Sequence, residues 1–126
     1  MHWAFEYIGD QWSAPDHDCW GFFRRVQRDR FGRDIPAVAV DAFNRRACAQ
    51  AVESNPERQQ WIATDAPQEG DAVLLAHARH PSHVGLWIDV DGGGVLHCIR
   101  GPGVVFQPVK SLKQSGWGHL EYYRHV

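Results

Sequence analysis

Asp16-His17-Asp18-Cys19-Trp20-Gly21-Phe22-Phe23 joins a polar, turn-forming segment to a strongly helical one and sets a cysteine at the junction. Upstream, Ser13-Ala14-Pro15-Asp16 reads as loop. Downstream, Phe22, Phe23, Val26 and Arg30 share one helical face and Gly32 stops the run, which predicts a helix from Cys19 to Phe31. At a helix start the unpaired backbone N–H groups and the positive end of the macrodipole favour thiolate over thiol, which would make the sulfur of Cys19 a nucleophile. The competing reading is plain packing, since cysteine is also a small buried hydrophobe.

Outward from that helix, Trp3 to Ile8 is a short aromatic segment closed by Gly9-Asp10 and expected to pack on the body of the domain. Gly32 to Pro36 is a turn. A second helix is expected from Asp41 to Glu53, capped by Asp41, with Phe43, Ala47, Ala51 and Val52 in helical spacing and Cys48 packed within it. Asn55-Pro56 breaks the chain, and Glu57 to Ile62 reads as a short helical turn. Beyond Gly70 the period changes. Asp71–Ala76, His83–Val90, Val95–Ile99, Val104–Gln107 and His119–Tyr123 are β-branched or aromatic runs between glycine and proline turns, and Asp91-Gly92-Gly93-Gly94 signals a hairpin. Helices first and about five antiparallel strands second predict an α+β fold, with the sheet curled into a partial barrel on the first helix.

Length and charge exclude several classes of function. The 126 residues fit one domain, residues 1–126, able to bury a core without staples. A formal net charge of −2 offers no basic footprint for nucleic acid, and the arginines at 24, 25, 28, 30 and 33 read as the solvated face of the first helix. Three cysteines without a CxxC pair suggest neither a disulfide framework nor a zinc site. No basic-then-apolar leader and no apolar run of ~18 residues is visible, so neither export signal nor membrane span is expected, and the chain is expected to be cytoplasmic when made. His77, His80 and His83 recur every third residue, yet Pro81 prevents a continuous helix, so no metal and no cofactor is expected.

A nucleophilic cysteine needs a base, and imidazole suits that task near neutral pH. Of the eight histidines, His83 follows a Pro81-Ser82 loop and opens a strand, with Gly85 on the same face leaving room for a helix end or a substrate backbone. His97, in Val95-Leu96-His97-Cys98-Ile99, is the candidate for the third role, orienting the base. Register is the difficulty. A two-residue turn on Gly92-Gly93 sets His97 opposite Ile88 on the wrong face, and a loop from Gly92 to Gly94 sets it opposite Asp89, well down the strand, so a bulge or strong twist is required. His17 reads as facing water. Trp20, Phe22 and Phe23 read as helix packing, with Trp20 able to reach the cleft.

In order and spacing, Asp18-Cys19-Trp20-Gly21-Phe22-Phe23, Gly70-Asp71-Ala72-Val73-Leu74-Leu75, His83-Val84-Gly85-Leu86-Trp87-Ile88 and Leu96-His97 resemble the NlpC family of cysteine peptidases over most of the chain. The chain is similar in particular to compact, signal-less members of phage tail modules, in which Trp-Gly follows the cysteine; Trp117 to His125 resembles their closing strand. The resemblance implies a papain-like core with Cys19 as nucleophile, His83 as base and His97 as orienting residue. It implies peptidoglycan stem peptide as substrate, usually at the bond from D-glutamate to a diamino acid, with other phage tail proteins as further partners and association with the virion as a route to the cell wall. Asp18 matches an acidic residue implied to bind the free amino end of the stem peptide, and is equally suited to capping the helix. Trp12 falls where the family's upstream tyrosine lines the site and polarises the carbonyl, and Trp20 stands where many members have serine. An indole donates one hydrogen bond and accepts none, so substrate contacts differ in detail there.

Three readings of function follow. The first is a thiol hydrolase of peptide or amide bonds. The second, motivated by Trp12 and Trp20, is a structural or binding subunit of a tail tip that has lost turnover. The third is an acyltransferase or amidase acting on another amide.

Overall fold

A computed structural model describes residues 1–126. Helix α1 runs over Cys19–Phe31 as expected, and its boundaries have local causes. The Asp18 side chain accepts the N–H of Gly21 at 2.8 Å, and Gly32, at φ 65°, closes the far end in the left-handed conformation that glycine adopts without strain. Phe22, Phe23 and Val26 are fully buried, each removing enough apolar surface from water to stabilise the fold by about 1.5–3 kcal/mol. Gln27, also buried, donates to the carbonyl of Gly70 at 2.9 Å and so ties the helix to the entrance of the sheet.

The sheet is antiparallel throughout, open, and has six strands: β1 Trp61–Ala63, β2 Ala72–Ala76, β3 His83–Ile88, β4 Gly94–Ile99, β5 Gly103–Pro108 and β6 His119–His125, in the order β1-β6-β2-β3-β4-β5. The strand beyond the five expected is β1, which sequence patterning read as part of a helical turn. A 3₁₀ turn does occupy Pro56–Gln60, but the chain then extends through Trp61–Ala63 to pair with β6. Both faces of the sheet are covered. Ala72, Leu74, Val84, Leu86, Ile88, Leu96, Cys98 and Val104 pack on α1 together with Ala4, Tyr7 and Ile35. On the other face Val73, Leu75, Trp87 and Val95 pack on Leu112 of a short helix α3, Val109–Gln114, which had not been expected.

Helix α2 spans Arg45–Ser54, four residues later than expected, because Asn44 rather than Asp41 caps it, its side chain accepting the N–H of Ala47 at 3.0 Å. The Asp41 carboxylate instead accepts the N–H of Phe43, which lies outside the helix and is exposed. Helix α2 buries no residue completely and lies along the rim of a cleft. Of the arginines of α1, Arg28 and Arg30 are exposed as expected, whereas Arg24 and Arg25 are half-buried. Arg25 donates to Asp10 and stands over the Tyr7 ring and Arg30 reaches Tyr7 and Glu6, which clamps the N-terminal segment, while Arg24 holds the carbonyl of Ile35 in the turn after the helix. No helix is long and apolar enough to cross a membrane.

Candidate active site

The loop before α1 is folded back on itself, with Ser13 and His17 exchanging backbone hydrogen bonds at 3.0 and 2.8 Å. This brings the carbonyl of Asp16 over the first helical turn. A Cβ on Gly21 would lie 2.1 Å from that oxygen, so the glycine two residues after Cys19 is required by close backbone approach. Cys19 is the first residue of α1. The backbone N–H groups of Trp20 and of Val84, at the start of β3, reach its sulfur, which sets the thiol beside the His83 strand.

The helix start was expected to lower the thiol's pKa, but the balance goes the other way. Burial pushes Cys19 from 9.0 up to about 12, the Asp18 carboxylate adds to the rise, and the two N–H groups only partly oppose it. His83 lies well below its ordinary value, first through burial and then through His97 and His77. Both shifts favour the neutral forms, a thiol on Cys19 and an uncharged imidazole on His83.

The register between β3 and β4 removes the difficulty over His97. Leu86 pairs with Leu96, Trp87 with Val95 and Ile88 with Gly94, so the hairpin turns through residues 89–93 rather than on the glycines alone. Extending that register by one pair sets His97 beside Gly85, on the face that also carries His83 two residues away. His83 Nε2 and His97 Nδ1 are 2.7 Å apart, and no bulge is needed. Gly85 makes room for β4 itself, not for a helix end or substrate: a Cβ there would lie 2.5 Å from Val95 Cγ1 and 2.9 Å from His97 Cβ.

Two neighbours were missed by sequence reasoning. Gln107 on β5 has its Oε1 2.8 Å from His97 Nε2, and Trp117 is stacked between His77 and His83, with ring centroids 4.2 and 5.0 Å away. Gln107 ends a strand that reads as core, and only the strand pairing reveals its reach. Trp117 lies in a stretch recognised as a closing strand, with nothing in its spacing to aim it at His83.

Cys19 and His83 line a cleft of about 670 Å³ together with Asp18, Trp12 and Trp20, so five of the six sequence-derived site residues meet there and His97 supports it from behind. Asp18 is buried and caps α1. Trp20 stacks on Phe23 at 5.4 Å and donates its indole N–H to the carbonyl of Pro36 at 3.0 Å, which commits its only donor. Trp12 packs edge-on against Phe43 at 5.3 Å. Cys48 lines the cleft from α2, a different setting from the packed position expected for it. His17 neither lines the cleft nor faces water freely. Its Nδ1 lies 2.6 Å from the carbonyl of Gln11 and its Nε2 3.0 Å from Arg25 Nη1, so it donates through the first and accepts through the second. No group of three or more His, Cys, Asp or Glu side chains is arranged to hold a metal ion.

Burial of His97 has a consequence for stability. Burial lowers its pKa from 6.5 to about 4, against the opposing hydrogen bond that His97 donates to Gln107. Below pH 6.5 the unfolded chain takes up a proton that the folded chain refuses, so stability is complete above that pH and is lost as pH falls towards 4. His97 alone is expected to cost on the order of 3 kcal/mol across that window, and His83 acts in the same direction. Urea unfolding at about pH 7.5 and about pH 4.5 should show a clearly lower midpoint in acid, with a smaller difference in His97→Asn; equal midpoints in the wild type would contradict this.

The fold has a counterpart among solved structures. The crystal structure of the NlpC/p60 domain of the peptidoglycan hydrolase SagA is similar, with a TM-score of 0.60 and 22% identity over 98% of this chain and 92% of that one. No curated protein matches the chain in sequence. The model of the NlpC/P60 family matches residues 3–122, nearly the whole length, and the chain belongs to that family.

Proposed function

We propose that the cleft is the active site of a cysteine peptidase that hydrolyses amide bonds in peptidoglycan stem peptides. The observation that carries this reading is the approach of three groups: the Cys19 sulfur beside the start of β3, His83 opening that strand, and His97 within 2.7 Å of His83 Nε2. Membership of the NlpC/P60 family and the likeness to a peptidoglycan hydrolase domain support the substrate class.

In this mechanism His83 Nδ1 takes the thiol proton as sulfur attacks the carbonyl carbon. The backbone N–H of Cys19, at the unpaired start of α1, donates to the developing oxyanion. The imidazolium then returns the proton to the departing amine, leaving a thioester, and water deprotonated by His83 releases the acid and restores the thiol. Trp117 lies flat against His83, where an aromatic face stabilises the transient positive charge. The bond from D-glutamate to the diamino acid is the favoured target, with Asp18 at the amino end of the peptide.

The test is the mass of soluble products from purified peptidoglycan. A new free amine on the diamino acid and a free carboxyl on D-glutamate are expected. Unchanged peptidoglycan, with Cys19 unreactive towards an alkylating probe, would overturn the reading. A second reading rests on the walls of the cleft, where Trp20, Val38, Val40, Val52 and Trp61 make the lining mainly apolar. That lining favours an amidase or acyltransferase acting on a less polar amide, which the same product analysis on defined acyl amides distinguishes.

A further inference from the structure

The base in this site has two nitrogens, and only one proton arrangement leaves the correct one free. His83 Nε2 is engaged with His97 Nδ1 at 2.7 Å, so the nitrogen left to take a proton from Cys19 is Nδ1. For Nδ1 to be unprotonated in the neutral ring, the proton must be on Nε2, which then donates to His97. His97 must accept at Nδ1 and therefore carry its own proton on Nε2. The opposite polarity satisfies the same two rings equally well, with His97 donating from Nδ1 and His83 presenting an N–H to the thiol. That state has no base. Two histidines alone do not choose between them.

We infer that Gln107 is the positioning residue that sets the polarity of the histidine pair, acting from the end of β5 through a relay anchored on Ser115. Its Oε1 lies 2.8 Å from His97 Nε2 and its Nε2 donates to Ser115 Oγ at 2.9 Å. A carbonyl oxygen can only accept, so it requires an N–H on His97 Nε2, and the remaining protons follow along the chain to an empty Nδ1 on His83. Each element of the relay is fixed. Gln107 pairs with Val95 across β4 and β5, two residues along and on the same face as the pair between His97 and Val105, which gives the amide its diagonal reach. Ser115 is held at the end of α3 by its N–H to the carbonyls of Ser111 and Leu112, at 3.0 and 3.1 Å. The short helix on the outer face of the sheet thus acts on the chemistry through one serine and one amide.

This inference rests on the assignment of Cys19 and His83 as nucleophile and base, but its primary test needs no substrate. In ¹⁵N imidazole spectra at about pH 7.5, where both rings are neutral, wild-type protein is expected to show His97 and His83 as Nε2–H tautomers. In Gln107→Leu, which is close in size and has no acceptor, His97 is expected to become a mixture or to change over to Nδ1–H. Alkylation of Cys19, followed by peptide mass, should slow by about tenfold to a hundredfold in Gln107→Leu and recover in Gln107→Glu, which keeps an accepting oxygen. With stem peptide as substrate the loss should fall on kcat and leave KM in place. An Nδ1–H His97 in the wild type, or tautomers and alkylation rates that ignore the leucine substitution, would overturn the inference. Wild-type tautomers as expected together with intact peptidoglycan would overturn the substrate reading alone.

Discussion

Cys19→Ala is expected to remove turnover of peptidoglycan stem peptide, a fall on the order of 10⁴ or more in kcat, while leaving the fold and the melting temperature close to those of the wild type. The size of the effect follows from what stays behind. His83, His97 and the N–H groups at the start of α1 persist in the variant, but a water molecule would have to attack without the sulfur, and no acyl-enzyme divides the reaction into two lower barriers. Little stability is at stake, because by its solvent exposure Cys19 is only partly enclosed and the substitution removes a single sulfur atom. Activity should be followed as release of free amines from purified peptidoglycan, with product masses, and the fold by circular dichroism. Retained release of amines in the alanine variant would show that another group does the chemistry. Loss of release with loss of fold would instead assign a structural role to the thiol.

The first half of this site was legible in sequence because its signals are local. Asp18, Cys19 and Gly21 lie within one helical turn, and each has a local cause: a cap, an unpaired helix start and a close backbone contact. His83 was legible for a related reason, as it opens a strand directly after a proline-containing loop. The tautomer-setting half was not. Gln107 reaches His97 only through the pairing of β4 and β5, and the place of His97 itself depends on where the hairpin between β3 and β4 turns. Three consecutive glycines attract a tight turn in any sequence-based reading, yet Gly94 is already paired with Ile88 in the strand. The two-residue difference in turn position decides whether His97 lies beside Gly85 or far down the strand. The missed elements, β1 and α3, are three and six residues long, and tertiary pairing and packing decide such short pieces more than propensity does.

Electrostatics was legible in kind but not in sign. A helix start next to a cysteine argues for a lowered thiol pKa, and the N–H groups of Trp20 and Val84 do act in that direction. Burial in the cleft and the carboxylate that caps the same helix outweigh them. The residue that makes the helix begin at Cys19 also opposes ionisation of Cys19, so the proposed mechanism calls on His83 to take the proton rather than on a preformed thiolate.

Gly85→Ala is expected to damage both the fold and the site, costing about 3 kcal/mol of stability and reducing turnover in the molecules that remain folded. The added Cβ would lie 2.5 Å from Val95 Cγ1 and 2.9 Å from both His97 Cβ and the carbonyl oxygen of Leu96. None of the three has space to retreat. Val95, Leu96 and His97 are all fully buried, the first against α3 and the second against α1. Relief therefore requires β3 and β4 to move apart. That movement acts on the 2.7 Å contact between His83 and His97, since the two rings stand on the two strands being separated. Ordinary overpacking elsewhere in the core would lower stability and leave kcat alone. Here both should fall together, and the His97 tautomer should become mixed as the ring leaves His83. Urea unfolding gives the first quantity and turnover at a temperature where the variant is folded gives the second. An alanine variant with wild-type stability and wild-type kcat would mean that the strands have slack at this point and that His97 is not held where it lies by the missing side chain of Gly85.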